Sequence, residues 1–243
     1  MTADSDDETT PVDLPVTPRN RAVFVPGADA LVVADVHLGR AAASNVDAPL
    51  DDGDAVRRRL EPLLGETDPQ TVVVAGDLLH SFQRVPRGLE DDLSALESVV
   101  AEAGASLVVT PGNHDTMLSS VFDGETAAEY RLADGETVVC HGHEPPTTDA
   151  TRYLVGHDHP ALSVEGRKLP CFLYGPNAYD GADVVMLPAF TQLAGGATVN
   201  GMRARDFQSP LVEDADAFHP AVWDDSSGET LWFPPLGECR RLL

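Results

Sequence analysis

Lysine is almost missing from this chain. Lys168 is the only one among 16 basic residues, which face 40 Asp and Glu for a formal net charge of −24 over 243 residues. Phosphate backbones are gripped through clustered Lys and Arg, so such a balance excludes tight nonspecific binding of nucleic acid and leaves only local recognition at a defined site. Cysteine is also scarce: Cys140, Cys171 and Cys239 are odd in number and none stands in a C-x-x-C pair, which excludes a disulfide framework and a zinc ribbon and leaves reduced thiols. No apolar run approaches the roughly 20 residues that a membrane helix needs. The opening MTADSDDETT is acidic where a secretory leader is basic and then apolar, so the expected location is cytoplasmic. A surface this acidic suits molar salt, where a Debye length of about 3 Å screens self-repulsion and hydrated carboxylates keep the chain soluble.

What remains is an ordinary soluble composition, 42% hydrophobic, in a length that suits one core. Residues 1–20, rich in Asp, Thr and Pro without apolar period, read as a flexible acidic tail, and 21–243 as a single domain. RAVFVPGADALVVADVH reads as two strands around a Pro-Gly turn. Val56, Leu60, Leu63 and Leu64 share one face of a helix over 54–64 that Gly65 should stop. TVVVAGD is a strand. Leu89, Leu93, Leu96, Val99 and Val100 line a second helix that ends at Gly104. Alternating strands and amphipathic helices predict an α/β core in the first part. From about Ala161 the pattern becomes β-rich without helical period, which predicts a second sheet packed on the first.

Five apolar runs end in the same polar vocabulary. LVVADVH supplies Asp35 and His37, VVVAGD supplies Asp77, and LVVTPGNHD supplies Asn113, His114 and Asp115; VVCHGH adds His141 and His143, and YLVGHDH adds His157 and His159. Seven of the eight histidines belong to or closely follow these strand ends, the exception being His219. Residues beyond the carboxyl ends of strands in an open α/β sheet meet along one edge, where ligands bind. In an extended segment, positions i and i+2 point the same way, so Asp35 with His37, and His157 with His159, should aim both side chains at one cluster. Carboxylate, amide oxygen and imidazole donors suit first-row divalent metals, with manganese first and iron, zinc or nickel also compatible. Two such ions roughly 3.5–4 Å apart, bridged by a carboxylate, would act on phosphorus, and Asp77 is the natural bridge.

The series D-x-H, G-D, G-N-H-D, H-G-H and G-H-x-H resembles the calcineurin-like metallophosphoesterase superfamily, which includes the Mre11-type nucleases. Carried onto this chain, the resemblance implies one metal on Asp35, His37, Asp77 and His159, and a second on Asp77, Asn113, His141 and His157. His114 would be the general acid, oriented by Asp115, with a metal-bridging hydroxide as nucleophile. It also implies an α/β fold: a four-layer αββα sandwich of two mixed sheets flanked by helices. LVVADVHLGR, VVVAGDLLHSF, VGHDHP and LPAFTQLAGG are further similar to archaeal Mre11-related phosphoesterases and to the bacterial ligase-associated DNA damage response endonuclease. The implied substrate is a phosphodiester of single-stranded or damaged DNA, in the company of DNA-repair partners. His80, Arg40 and His143 are the candidate substrate contacts; a helix-start role suits His80 equally well, and His143 is the alternative to His141 as ligand, with His141 preferred by its family position nearest the strand end. A small-molecule phosphatase or cyclic-nucleotide phosphodiesterase is the alternative activity, and an inactive scaffold of the same fold the alternative class.

Other residues take plainer readings. Cys140 is a small buried residue, His219 is structural, and Trp223, Trp232 and Phe233 form core or a sheet-covering patch, with base stacking as the minor alternative. Arg57-Arg58-Arg59, Arg84 with Arg87, and Arg203 with Arg205 are read as solvated surface before basic patches.

Overall fold

The computed structural model describes residue 14 and residues 16–40, 52–80 and 84–242. Its first sheet runs β1 (Thr17–Arg19), β2 (Ala22–Val25), β3 (Ala30–Ala34), β4 (Thr71–Ala75), β5 (Ser106–Thr110) and β6 (Glu125–Thr126), in that spatial order. Pairing is antiparallel from β1 to β3 and parallel from β3 to β6. The runs ALVVA and TVVVA are continuous rather than alternating because both faces are covered. Leu31, Val33, Val72 and Val74 pack outward under two helices, while Val32, Ala34, Val73 and Ala75 pack inward between the sheets.

Those helices are α1 (Asp52–Thr67) and α2 (Leu89–Glu102), and the apolar positions anticipated from their periodicity all lie in the outer core. Gly65 does not stop α1. The helix continues to Thr67, whose hydroxyl donates to Leu63 O, and it ends where Asp68 turns left-handed at φ 44°. One interior glycine costs about 1 kcal/mol relative to alanine, less than the packing of Leu60, Leu63 and Leu64 supplies. The expected tail is also shorter than drawn. β1 lies inside the stretch assigned to it, because Thr17 pairs with Phe24 and buried Val16 joins the inner core, whereas 1–13 fall outside the described residues.

The second sheet runs β16 (Glu229–Trp232), β15 (His219–Asp224), β12 (Phe172–Tyr179), β13 (Ala182–Met186), β9 (Arg152–Val155), β8 (Thr137–Cys140) and β7 (Glu129–Arg131). It therefore begins well before Ala161, the expected divide. β8, β9 and β13 are parallel and buried on both faces, so TVVC and RYLV read like strands of the first sheet. Val139, Leu154, Phe172 and Val185 meet Val23, Val32, Val73 and Val108 across the inner core.

The outermost layer on this side is mostly irregular. It contains 3-10 turns, the short helix α3 (Leu236–Leu242), which has too few residues to show a period, and a small sheet of β11 (Arg167–Pro170), β10 (Pro160–Val164) and β14 (Ala197–Thr198). Phe218, Leu211 and Leu236 pack there on Val184, Met186 and Leu173. The αββα order holds, with regular helices heavily weighted to one face.

Candidate metal centre

The carboxyl ends of β3, β4 and β5 meet those of β8 and β9 at one edge of the sandwich, so both sheets contribute to the cluster. The loops after β3 and β4 stay bonded beyond the strands, through Asp35 N to Gly76 O, His37 N to Asp77 O and Leu38 N to Leu78 O. The second sheet is tied in where His157 N donates to Asp35 Oδ2 at 3.0 Å.

The paired side chains converge by a different geometry from the extended one expected. Asp35, His37, Asp77, His157 and His159 have φ of 53°, 53°, 46°, 75° and 47°, all left-handed. Each such non-glycine residue is held at a cost of order 1 kcal/mol, which the surrounding packing must offset. Crowding has a second signature at Gly76 and Gly112. A Cβ at the first would collide with the His141 ring and at the second with the Asp77 carboxylate.

One ligand atom from each of Asp35, His37, Asp77 and His159 fits within a mutual 4.8 Å. His159 Nε2 lies 3.3 Å from both Asp35 Oδ1 and His37 Nε2. A second group gathers at His141 Nε2, which is 3.0 Å from Asn113 Oδ1, 3.1 Å from His157 Nδ1 and 3.6 Å from Asp77 Oδ1. Asp77 faces both, its Oδ2 lying 4.0 Å from His37 Nε2.

The donors are arranged for a cation they do not themselves supply. Asp35 Oδ1, 3.3 Å from His159 Nε2 and shielded from solvent, accepts no hydrogen bond. Buried polar atoms are rarely left so. Burial pushes the Asp77 carboxyl up to about 7 and the His37 and His141 imidazoles down to about 3 and 2. Neutral imidazoles are in the ligating form, and a divalent ion would relieve the cost of the buried carboxylates. The residues therefore fit divalent metal, and the oxygen and nitrogen donors without thiolate suit a first-row ion.

Outside these groups, the His114 ring is partly exposed, with Nε2 3.9 Å from Asp77 Oδ2, and its main-chain amide donates to Asp77 Oδ1 at 2.9 Å. Asp115 does not take the expected position behind that ring. Its carboxylate accepts from the amides of Leu78, Leu79 and Gly112, tying the β4 loop to the β5 loop, and His114 Nδ1 is left without a partner. Three amide donors outcompete one imidazole for a buried carboxylate. His80 stacks 6.0 Å from His114, and His143 sits 5.0 Å from His141. Arg40, Asp77, His114 and His159 line a cleft of about 370 Å³.

Two contributions went unread in the sequence. Asp158, between the paired histidines, is buried and accepts from the amides of Gln208 at 2.8 Å and Ser209 at 3.0 Å, fixing the loop that carries both imidazoles. Arg21 donates to Ala189 O and Thr191 O, and Arg59 to Phe190 O, which holds the 187–196 loop beside the cluster. The D between two ligand histidines was a usable signal; the arginines had none. Of the suspected basic patches, Arg57 and Arg58 pair with Asp54, and Arg203 with Asp216, so these charges are offset locally.

The family model for calcineurin-like phosphoesterase matches residues 29–175, more than half the chain and every anticipated ligand. The chain belongs to that family and is a metal-dependent phosphoester hydrolase. Among solved structures it is similar to the crystal structure of Pseudomonas putida nuclease MPE, with 25% identity, a TM-score of 0.60, and coverage of 88% of this chain and 92% of that one. No curated protein matches it.

Proposed function

We propose that the protein hydrolyses phosphodiesters, with nucleic acid as substrate class, and that two divalent ions share Asp77. The observation that carries this is the position of Asp77, whose two carboxylate oxygens face separate ligand groups at the floor of a cleft that also presents His114. Asp35, His37, Asp77 and His159 would hold one ion, and Asp77, Asn113, His141 and His157 the other. When bound, the ions supply Lewis-acid polarisation of the phosphoryl group and activation of water.

The chain's own groups perform the rest. Arg40 lines the cleft on the side of His37, His80 and His159 and orients an anionic ester. His114, partly exposed and fixed through its amide to Asp77, delivers a proton from its ring to the leaving oxygen. The likeness to a nuclease, together with the stretches resembling ligase-associated endonucleases, supports DNA over a small ester and DNA repair as the setting. Manganese is the proposed ion, one of the first-row ions that suit a donor set mixed from carboxylate, amide oxygen and imidazole.

The test compares bis-p-nitrophenyl phosphate, p-nitrophenyl phosphate, and single-stranded and duplex DNA in manganese buffer, alongside Asp77→Ala. The expected result is diester and DNA hydrolysis that the substitution abolishes. Hydrolysis confined to the monoester would overturn the nucleic-acid reading and favour a small-molecule phosphatase.

A further inference from the structure

The metal cleft does not end at the metal ligands. It shares His159, Ala194, Gly195 and Gly196 with a neighbouring cavity of about 230 Å³, which in turn shares Arg21, Pro170 and Gln192 with a third of about 180 Å³. The three form one groove. Strand β11 and the end of β15 make one wall and the 187–196 loop the other.

Its charge departs sharply from that of the molecule. In a chain with 40 acidic and 16 basic residues, the middle cavity holds Arg21 and the sole lysine, Lys168, and no carboxylate among its described lining residues. The far cavity holds Arg21 and Arg59 against Asp225. Arg40 stands at the metal end, beside the Asp77 and Asp158 carboxylates. With 40 acidic to 16 basic residues in the chain, carboxylates should well outnumber cations along the groove, whereas Arg21, Arg40, Arg59 and Lys168 line it against Asp77, Asp158 and Asp225.

The far end carries an aromatic platform. Trp223, expected in the core or in a sheet-covering patch with base stacking as the minor alternative, is half-buried and lines the third cavity. Arg19 lies 5.6 Å from its ring centroid and braces the indole in place. Trp232 and Phe233, by contrast, do pack against the inner and outer cores. A half-buried indole lining the end of a channel that holds cations suits base stacking, and the cations before it suit phosphates.

We infer that this groove is a binding track for a single-stranded nucleic-acid segment flanking the bond at the metal centre, with Lys168 facing its phosphates and Trp223 stacking on a base. The inference deepens the proposed function and rests on it for the direction of the strand. A single strand is specified because a base in a duplex has its faces occupied and offers none to the indole. The Arg21 and Arg59 guanidiniums hold the carbonyls of the 187–196 loop from partly buried positions and form the electropositive floor, whereas Lys168 donates to Gly196 O of that loop at 2.5 Å from an exposed side chain whose ammonium has two further protons for a phosphate.

Binding, rather than turnover, tests this. Fluorescence anisotropy of a labelled oligothymidylate of about ten nucleotides is measured at low salt with metal-free protein, comparing wild type, Lys168→Glu and Trp223→Ala. Each substitution should weaken binding about tenfold, the lysine effect fading as salt rises and the tryptophan effect persisting. Circular dichroism and melting of the exposed Lys168→Glu variant confirm the fold, so that variant carries the test if Trp223→Ala proves unstable. Unchanged affinity in folded Lys168→Glu overturns the track, even where the wild type cleaves DNA. Equal or tighter binding of a duplex overturns its single-strand character. Groove-dependent binding without DNA cleavage supports the track while removing the nuclease reading, so the two failures are distinguishable.

Discussion

The main-chain amide of His114 donates to Asp77 Oδ1 at 2.9 Å, so the proposed proton donor and the carboxylate facing both ligand groups are fixed to each other through backbone rather than side chain. The imidazole can therefore be removed without disturbing the anchor. His114→Ala should keep the wild-type metal content while turnover falls by about 10²–10⁴-fold. Elemental analysis beside steady-state kinetics checks this; loss of metal with the ring would place His114 among the ligands instead.

Metal affinity should be pH-dependent with a defined sign. Burial raises Asp77 to about 7 in the metal-free fold, whereas His37 and His141 are already neutral there. His159 is also raised: burial, the largest single effect, lowers it, but the Asp35 carboxylate 3.3 Å from its Nε2 and the charge of Asp77 together outweigh that. Below about pH 7 an incoming ion must displace these protons, so affinity should fall about tenfold per pH unit for each proton displaced. In the metal-free protein the stabilising contribution of Asp77, complete below its unfolded value of 3.8, is lost as pH rises through about 7. Titration calorimetry with manganese across about pH 5.5–8 reads the first effect; an affinity independent of pH would contradict the assignment.

Asp158 offers a test away from the ligands themselves. Asp158→Ala leaves the amides of Gln208 and Ser209 unpaired and should cost about 1–3 kcal/mol of stability while loosening His157 and His159. Denaturant unfolding should show a lower midpoint, and manganese should bind more weakly. Asp158→Asn, which keeps one acceptor oxygen, should fall between.

The acidic surface predicts a response to salt. At a net charge of −24, self-repulsion destabilises the compact state, so the melting temperature should rise from low salt to molar KCl. A flat or falling profile would exclude adaptation to molar salt.

The site was more legible in the sequence than the fold around it. Asp, Asn and His at strand ends are chemical signals that survive any error in strand assignment, so the donor-bearing runs are visible without knowing their sheets, while the division into a set of Asp35, His37, Asp77 and His159 and a second set comes from the family resemblance. The sheet boundary was hidden because TVVC and RYLV, buried on both faces, carry no mark of which sheet receives them. The expected orientation of His114 by Asp115 fails for a related reason: competition among donors for a buried carboxylate is set by the three-dimensional neighbours and not by adjacent letters.

Division of the ligands between two sheets has a consequence for how the protein matures. Asp35, His37, Asp77 and Asn113 follow strands of the first sheet, and His141, His157 and His159 follow strands of the second. A chain with only one sheet formed offers carboxylates without most of its imidazoles, or imidazoles without any of those carboxylates. Neither half has a full coordination set. On the proposed ligand assignment, metal binding would thus report that the sandwich has closed, and catalytic competence would be withheld from a partly assembled molecule by the same geometry that creates it.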